Sequence, residues 1–269
     1  MSFADKVIVI TGASDGIGAE LARQLSRDKP KLVLAARRSD ALRAVAAQCE
    51  ALGATTFVMQ TDVSIEANCR SLIAHAVDKF GAIDVLVNNA GISMHANFDQ
   101  ITDTDVYERL MRINLMGSIW PTHAALAHLK SSQGLVVAVA SLAGLIGVPG
   151  RTTYCASKFA QTGFFEALRV ELAPDGVDVC VVYPGVVATE IRRNGWNASG
   201  HTAGVSGLNE AGAMSVEECA GLIVTAMRLR KREEVMSLKG KLGRWIKLIA
   251  PAKLDAMARA ALAASAQRR

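Results

Sequence analysis

Apolar residues along this chain fall into two alternating kinds of segment. Short continuous runs, often rich in β-branched residues, occur at Val7-Ile8-Val9-Ile10, Leu32 to Ala35, Thr55 to Met59, Val85-Leu86-Val87, Leu135 to Ala140 and Val177 to Tyr183. Runs of this length without polar alternation are expected of strands buried on both faces. Between them the apolar positions take a helical spacing. Ile17, Leu21 and Leu25 share one face after the first run, and helices are expected at Ala41 to Leu52, about Ala67 to Phe80, about Asp105 to Leu129, and through Tyr154. Repeated strand–helix alternation predicts a single α/β domain, a doubly wound parallel sheet with helices on both faces. Crossovers of this kind are right-handed, and ligands collect at the carboxyl ends of the strands.

The pattern lapses from Ile191 to Met214, where Gly195, Gly200, Gly204, Gly207 and Gly212 lie among polar residues and Trp196. A long aperiodic stretch inside a compact domain predicts a functional loop, here a substrate lid over about 190–214. Periodicity returns in the tail. Leu242, Trp245, Ile246 and Ile249 fall at i, i+3, i+4 and i+7 with Lys241, Arg244 and Lys247 opposite, and Leu254, Met257, Ala261 and Leu262 continue an apolar face after Pro251. The expected organisation is a catalytic domain over 1–237 followed by a basic amphipathic helical extension over 238–269. An apolar stripe of that size is expected to be covered, by docking on the chain's own body, across a dimer, or on an anionic membrane surface.

Charge sharpens this division. The formal charge is +5, but the stretch from Arg228 to Arg269 carries twelve Lys and Arg against three Asp and Glu, a net +9, which leaves 18 − 22 = −4 for the rest. The basic character therefore concerns the tail's partner rather than the fold, and no nucleic-acid partner is expected. Five cysteines (Cys49, Cys69, Cys155, Cys180 and Cys219) show no metal-like spacing, which suits a reduced cytoplasmic compartment and no metal site. Met1 to Lys6 does not read as an export signal. The longest apolar stretch, Gly134 to Gly150, is seventeen residues with four glycines; a spanning helix needs about 20, so a central strand is expected there instead.

The candidate chemistry lies just after the strands. The first run leads into Thr11-Gly12-Ala13-Ser14-Asp15-Gly16-Ile17-Gly18 and then a helix. Strand, glycine loop and helix in that order form a dinucleotide fingerprint. Gly12 permits the tight turn, Gly16 lets a pyrophosphate approach the backbone, Gly18 allows close helix–strand packing, and the helix N-terminus offers free N–H groups to phosphate. Further along, Tyr154 and Lys158 stand at i and i+4, thirteen residues after Ser141. On a helix the two share a face. A phenol titrates near ~10, and an adjacent ammonium favours the phenolate, so the pair is a candidate proton donor and acceptor for interconverting a carbonyl and an alcohol.

Over roughly Lys6 to Met236 the chain resembles the short-chain dehydrogenase/reductase family, a Rossmann-type fold. The matching motifs are the glycine loop, Asp62-Val63 after the third strand, Asn88-Asn89-Ala90-Gly91 after the fourth, Asn114 on the long helix, Ser141 after the fifth, Tyr154 with Lys158, and Pro184-Gly185 with Thr189 after the sixth. The resemblance implies Tyr154 as general acid/base, Lys158 lowering its pKa and bonding the nicotinamide ribose, Ser141 holding the substrate oxygen, and Asn114 holding a relay water. It implies a cofactor site built from Gly12, Ser14, Asp15, Gly16, Ile17, Gly18, Asp62, Val63, Asn89, Ala90, Gly91, Pro184, Gly185, Val187 and Thr189, with Val187 and Thr189 fixing the carboxamide. Read for themselves, Asn114 could instead satisfy backbone groups, and Asp62 could be a turn residue.

Charge also bears on which dinucleotide binds. Enzymes of this fold that use the unphosphorylated cofactor place an acid at the end of the second strand. Here that place is Ala36, followed by Arg37 and Arg38, and an arginine fork matches a 2′-phosphate. NADP(H) is expected over NAD(H), although Asp15 stands in the loop where many NADP-using relatives carry a base. The expected substrate pocket is Ser93, Met94, His95, Leu142, Ala143, Val148, Val186 and the segment around Trp196, for a hydrophobic carbonyl or secondary alcohol. A homo-oligomer, dimer or tetramer, is expected. The competing readings are a catalytically silent dinucleotide-binding regulator, against which the set Asn114, Ser141, Tyr154 and Lys158 counts, and a membrane-surface scaffold acting through the tail.

Overall fold

The computed structural model describes residues 1–205 and 212–266, and the side chains of 1–260 apart from 206–211. Seven strands form one parallel sheet: β1 (Val7–Thr11), β2 (Lys31–Ala36), β3 (Thr55–Gln60), β4 (Val85–Asn88), β5 (Leu135–Val139), β6 (Asp178–Tyr183) and β7 (Glu233–Val235). Their order is β3-β2-β1-β4-β5-β6-β7. The first six are the runs read from the sequence. β7 was not foreseen: it has three residues, two of them Glu, and pairs Val181 with Glu233 and Tyr183 with Val235 at the sheet edge. An edge strand that short and charged leaves no apolar signature.

The helices are α1 (Gly16–Ser26), α2 (Ser39–Ala51), α3 (Glu66–Phe80), α4 (Asp105–Met111), α5 (Gly117–Ser132), α6 (Thr152–Leu172), α7 (Val216–Arg228), α8 (Leu238–Ile249) and α9 (Pro251–Ala266). Alternation along the strands sends side chains to opposite faces. Ile8, Ile10, Leu32 and Leu34 pack with Leu21, Leu25, Leu42, Ile223 and Met227 of α1, α2 and α7. Val7, Val9, Val33 and Leu86 pack on the other face with Leu72, Ile73, Leu129 and Phe165 of α3, α5 and α6. The strand order reverses direction between β1 and β4, which opens a cleft at their carboxyl ends.

The single long helix expected from Asp105 is interrupted. A π-helical turn, Arg112–Met116, joins α4 to α5 and carries Asn114 inward to full burial. Such turns recur at functional sites.

The loop after β6 is pinned on two sides within its described part. Ala188 N donates to Met214 O and Met214 N to Val186 O, while Trp196 N donates to Ser93 O and His95 N to Trp196 O. Of the expected lid, residues 206–211, Gly207 among them, lie outside the described residues.

The tail departs most from expectation. α8 docks by its glycines and its basic side chains, not by its apolar stripe. A Cβ at Gly240 would stand 2.4 Å from Leu142 Cδ2, and one at Gly243 would stand 3.8 Å from Ile146 Cδ1. Arg244 pairs with Glu233 of β7, and Lys247 Nζ donates to Leu145 O at 2.8 Å over the ring of Phe159. Leu242, Trp245 and Ile249 consequently face outward, 59%, 65% and 79% exposed. Of the covers expected for the stripe, the chain's own body leaves Leu242, Trp245 and Ile249 open, with Ile246 half-buried and Leu254 partly so. The side chains of Ala261 and Leu262 lie outside the described residues. Among the described residues, no helix is long and apolar enough to cross a membrane.

Candidate active site

The glycine loop after β1 is laced to the end of β4. Thr11 Oγ1 accepts from the backbone N–H groups of Asn89 and Ala90, both at 3.1 Å, and Asn89 Nδ2 donates to the carbonyls of Thr11 and Gly12 at 2.9 and 3.1 Å. That closeness explains the glycines. Gly12 has φ +67°, and a Cβ on it would stand 2.8 Å from Ala90 Cα; one on Gly18 would stand 2.4 Å from both Asn89 Nδ2 and the Gly12 carbonyl oxygen. Neither position admits a side chain. Asp15 caps α1 by accepting from Gly16 N at 2.7 Å, and its other oxygen lies 3.3 Å from Arg38 Nη2.

One cleft, about 460 Å³, runs from this loop to Tyr154. It is lined at one end by Gly12, Ser14, Asp15, Gly16, Ile17, Arg37, Arg38, Asp62 and Val63, and at the other by Ser141, Tyr154 and Lys158. Asn89, Ala90, Gly91, Pro184, Gly185, Val187 and Thr189 line it between. Of the expected cofactor residues, only Gly18 lies behind the lining, in its packing role. Asp62 is both lining and turn: Oδ1 accepts from the N–H and hydroxyl of Ser64 at 2.9 and 2.7 Å. The donor set and the space over Gly12 and Gly16 fit a dinucleotide.

At the reacting end, Ser141 follows β5 by two residues and caps a short 3-10 turn, Leu142–Gly144, accepting from Ala143 N at 3.2 Å. Tyr154 and Lys158 sit one turn apart on α6, both buried. Burial pushes the Tyr154 phenol above its ordinary value; the Arg151 guanidinium, the Ser141 hydroxyl and, more weakly, Arg192 pull it back. The strongest positive influence on the phenol is therefore Arg151, not the lysine read from the sequence. Lys158 Nζ donates to Val139 O at 2.9 Å and Gln161 Oε1 at 3.0 Å, and burial among these neutral partners lowers its pKa to about 7.

Asn114 is fully engaged with the segment after β4. Its Oδ1 accepts from Ile92 N at 2.8 Å, and its Nδ2 donates to Ile92 O and Ser157 Oγ, both at 3.0 Å. Its side chain satisfies backbone groups, the alternative reading of this residue, and those groups belong to the cleft wall. A network continues through Ser118, which donates to Asn114 O and accepts from Gln161 Nε2. Gln161 and Ser118 were not singled out in the sequence; their positions one helical turn beyond Lys158 and Asn114 were the available signal.

The expected apolar substrate pocket is largely elsewhere. Ser93 alone of that set lines the cleft. Trp196 packs with Met94, Val106 and Leu110 under the Arg109 guanidinium, Val148 packs with Ala143 and Cys155, and Leu142 meets Gly240 of α8. His95 lies against Gly150, and Val186 points outward. Periodicity marks a residue as apolar but not which side of a loop it faces, so it does not separate these residues from those that line the cleft. In their stead the cleft takes Ile92, Ile113, Arg151, Ile191, Arg192, Asn194 and Thr202.

Comparison with known proteins agrees with this geometry. The family model described as short chain dehydrogenase matches residues 6–199. An Arabidopsis thaliana protein named 11-beta-hydroxysteroid dehydrogenase-like 4A is 41% identical over 183 residues, 68% of this chain and 61% of its own length. A Dictyostelium discoideum protein named dehydrogenase/reductase SDR family protein 7-like is 31% identical over 260 residues, 94% of this chain and 81% of its own. The X-ray structure of an alcohol dehydrogenase from the archaeon Thermococcus sibiricus complexed with 5-hydroxy-NADP superposes with a TM-score of 0.76 at 27% identity, covering 87% of this chain and 95% of that one. The chain belongs to the short-chain dehydrogenase family. Its match to the Arabidopsis protein spans 61% of that protein's length.

Proposed function

We propose that this chain is an NADP-dependent oxidoreductase that interconverts a carbonyl and a secondary alcohol, with Tyr154 as general acid/base. The observation that carries the reading is the placement of Ser141 and of buried Tyr154 and Lys158 at one end of a cleft whose other end is the glycine loop with Arg37 and Arg38. Ala36 ends β2 with no acid to repel a 2′-phosphate, and the similar archaeal enzyme was solved with an NADP derivative.

When bound, the nicotinamide supplies the hydride. The chain supplies position and one proton. In reduction, Tyr154 Oη gives its proton to the carbonyl oxygen, which the Ser141 hydroxyl holds. In oxidation the phenolate takes a proton from the alcohol. A phenol whose pKa is raised by burial stands protonated at neutral pH and is ready as an acid. Lys158 would hold the ribose of the bound cofactor, and the charge that most favours the phenolate is that of Arg151. The side chain of Asn114 keeps the wall at Ile92 in place. Ile92, Ile113 and Ile191 give the cleft an apolar wall for a hydrophobic substrate.

A panel of carbonyls and alcohols followed at the nicotinamide absorbance with both cofactors tests the reading. Turnover lost in Tyr154→Phe supports it; a folded protein that binds cofactor and turns over nothing points to a silent regulator instead. For the tail, the outward face of α8, with exposed Lys239 and Lys241 beside it, supports contact with an anionic membrane surface. Co-sedimentation with anionic vesicles that weakens as salt rises supports that role, and indifference to vesicles removes it.

A further inference from the structure

Arg151 bears on the Tyr154 phenol through its charge, and its hydrogen bonding leaves part of its fork unused. It precedes α6 by one residue, lines the cleft beside Tyr154, and carries its guanidinium carbon 5.2 Å from the centroid of the phenol ring. One terminal nitrogen donates to Ser93 Oγ at 3.0 Å, while Nε is buried with no hydrogen-bond partner. Among the described residues no carboxylate pairs with it. The acids that line the cleft are engaged elsewhere: Asp15 with Arg38, Asp62 with Ser64, and Glu190 with Arg193.

A guanidinium is the best-matched side chain for a planar carboxylate or a phosphate, because it offers parallel N–H donors in a fixed fork. Chains that bury one normally supply the matching acid, since an unpaired buried charge is costly. Here the described residues supply a neutral hydroxyl and a ring face, and the matching anion is not among them.

We propose that Arg151 is the anchor for an oxyanion on the substrate: the carbonyl compound or alcohol carries a carboxylate or phosphate close enough to reach Arg151 while its carbonyl lies against Tyr154 and Ser141. Resting on the oxidoreductase reading above, this narrows the substrate to an amphipathic molecule, with an apolar body against Ile92, Ile113 and Ile191 and one anionic group. Ser93 is then a positioning residue, holding the guanidinium rather than touching the reacting atoms.

The experiment uses the full chain with NADPH. Straight-chain 2-, 4- and 5-oxoalkanoates are compared with their methyl esters, and hydroxyacetone phosphate with hydroxyacetone, by kcat/KM. Octanoate and octanamide, which cannot be reduced, are titrated in parallel against the NADPH complex by nucleotide fluorescence. The wild type is expected to favour at least one anion over its neutral partner by tenfold or more. Arg151→Gln is expected to cut that ratio at least tenfold and Arg151→Lys to leave an intermediate value. Whichever pair shows the larger ratio identifies carboxylate or phosphate as the group bound. Anchoring is overturned if the wild type treats every anion and its neutral partner alike, or if Arg151→Gln lowers both by the same factor, as a purely structural or phenol-activating arginine would. Should Arg151→Gln not fold, the wild-type ratio and Arg151→Lys decide. Failure of the oxidoreductase reading looks different: no carbonyl would be reduced, while octanoate would still bind in preference to octanamide and lose that preference in the variant.

Discussion

Arg38 and Asp15 face each other at the glycine-loop end of the cleft, guanidinium to carboxylate at 3.3 Å, both half-exposed. The acid that seemed to argue against a phosphorylated cofactor is thus held by one of the two arginines meant to receive it. An exposed pair of this kind contributes only about 0–1 kcal/mol, so a 2′-phosphate can displace the carboxylate.

Cofactor preference follows from that arrangement. NADP(H) is expected to bind at least tenfold more tightly than NAD(H), about 1.4 kcal/mol. Arg37→Ala should remove most of the difference and Ala36→Asp should reverse its direction. Asp15→Asn should tighten NADP(H) by freeing Arg38 while keeping the cap on α1; Asp15→Ala should also lose about 0.5–2 kcal/mol of stability with the cap. Fluorescence titration of both cofactors measures the affinities and thermal unfolding measures the cap, and equal affinities in the wild type would reject the charge argument.

Tyr154→Phe should lower kcat by roughly 10²–10⁴ with cofactor affinity nearly unchanged, because it removes a proton and leaves the packing. Lys158→Ala should impair both turnover and cofactor binding. If the phenylalanine variant keeps half of the wild-type kcat, the proton comes from elsewhere.

The buried ammonium makes a pH prediction for the protein without cofactor. Lys158 titrates at about 7 in the fold and near ~10.4 when unfolded. Between these values the unfolded chain binds more protons, so this group makes stability rise with pH, by on the order of 1 kcal/mol per unit. The cleanest window is pH 7 to 8. Above it the five buried thiols, all raised by burial, act in the opposite sense as the unfolded chain loses their protons. Denaturant midpoints at pH 7 and 8 should rise for the wild type more than for Lys158→Met; parallel behaviour of the two would show that Lys158 is not desolvated.

The outward stripe of α8 can be tested separately from the docking face. Leu242→Glu with Trp245→Glu should leave the melting temperature within the range of ordinary surface changes, about 0.5 kcal/mol each, and should improve solubility. Gly240→Val, whose side chain would strike Leu142 next to Ser141, should lower both thermal stability and kcat. If the glutamate variant unfolds and the valine variant does not, the helix packs the other way round.

Much of this molecule was legible before folding. Most strands announced themselves because strands covered on both faces must be apolar throughout, and most of the residues that line the cleft because they follow a strand end. β7 was hidden by its length and its two glutamates. α8 was read with the right stripe but without the side by which it packs, since periodicity locates an apolar face without saying what it meets. Gly240 and Gly243, one turn apart, were the sign of a close approach. Arg151 was passed over because an arginine beside a helix start reads as solvated. Its burial against Ser93 depends on a loop from a distant part of the chain, which no local pattern encodes.

The π-helical turn at Arg112–Met116 sets a condition on chain length. A regular α-helix turns about 100° per residue, and a π turn accommodates one residue more than an α turn. α4 and α5 are therefore out of phase by that amount, with Leu110 facing one packing surface and Leu129 another. Homologous chains should tolerate almost any exchange of exposed residues along this rod but hardly any insertion or deletion, because a change of one residue would turn one half against the other and swing Asn114 away from Ile92.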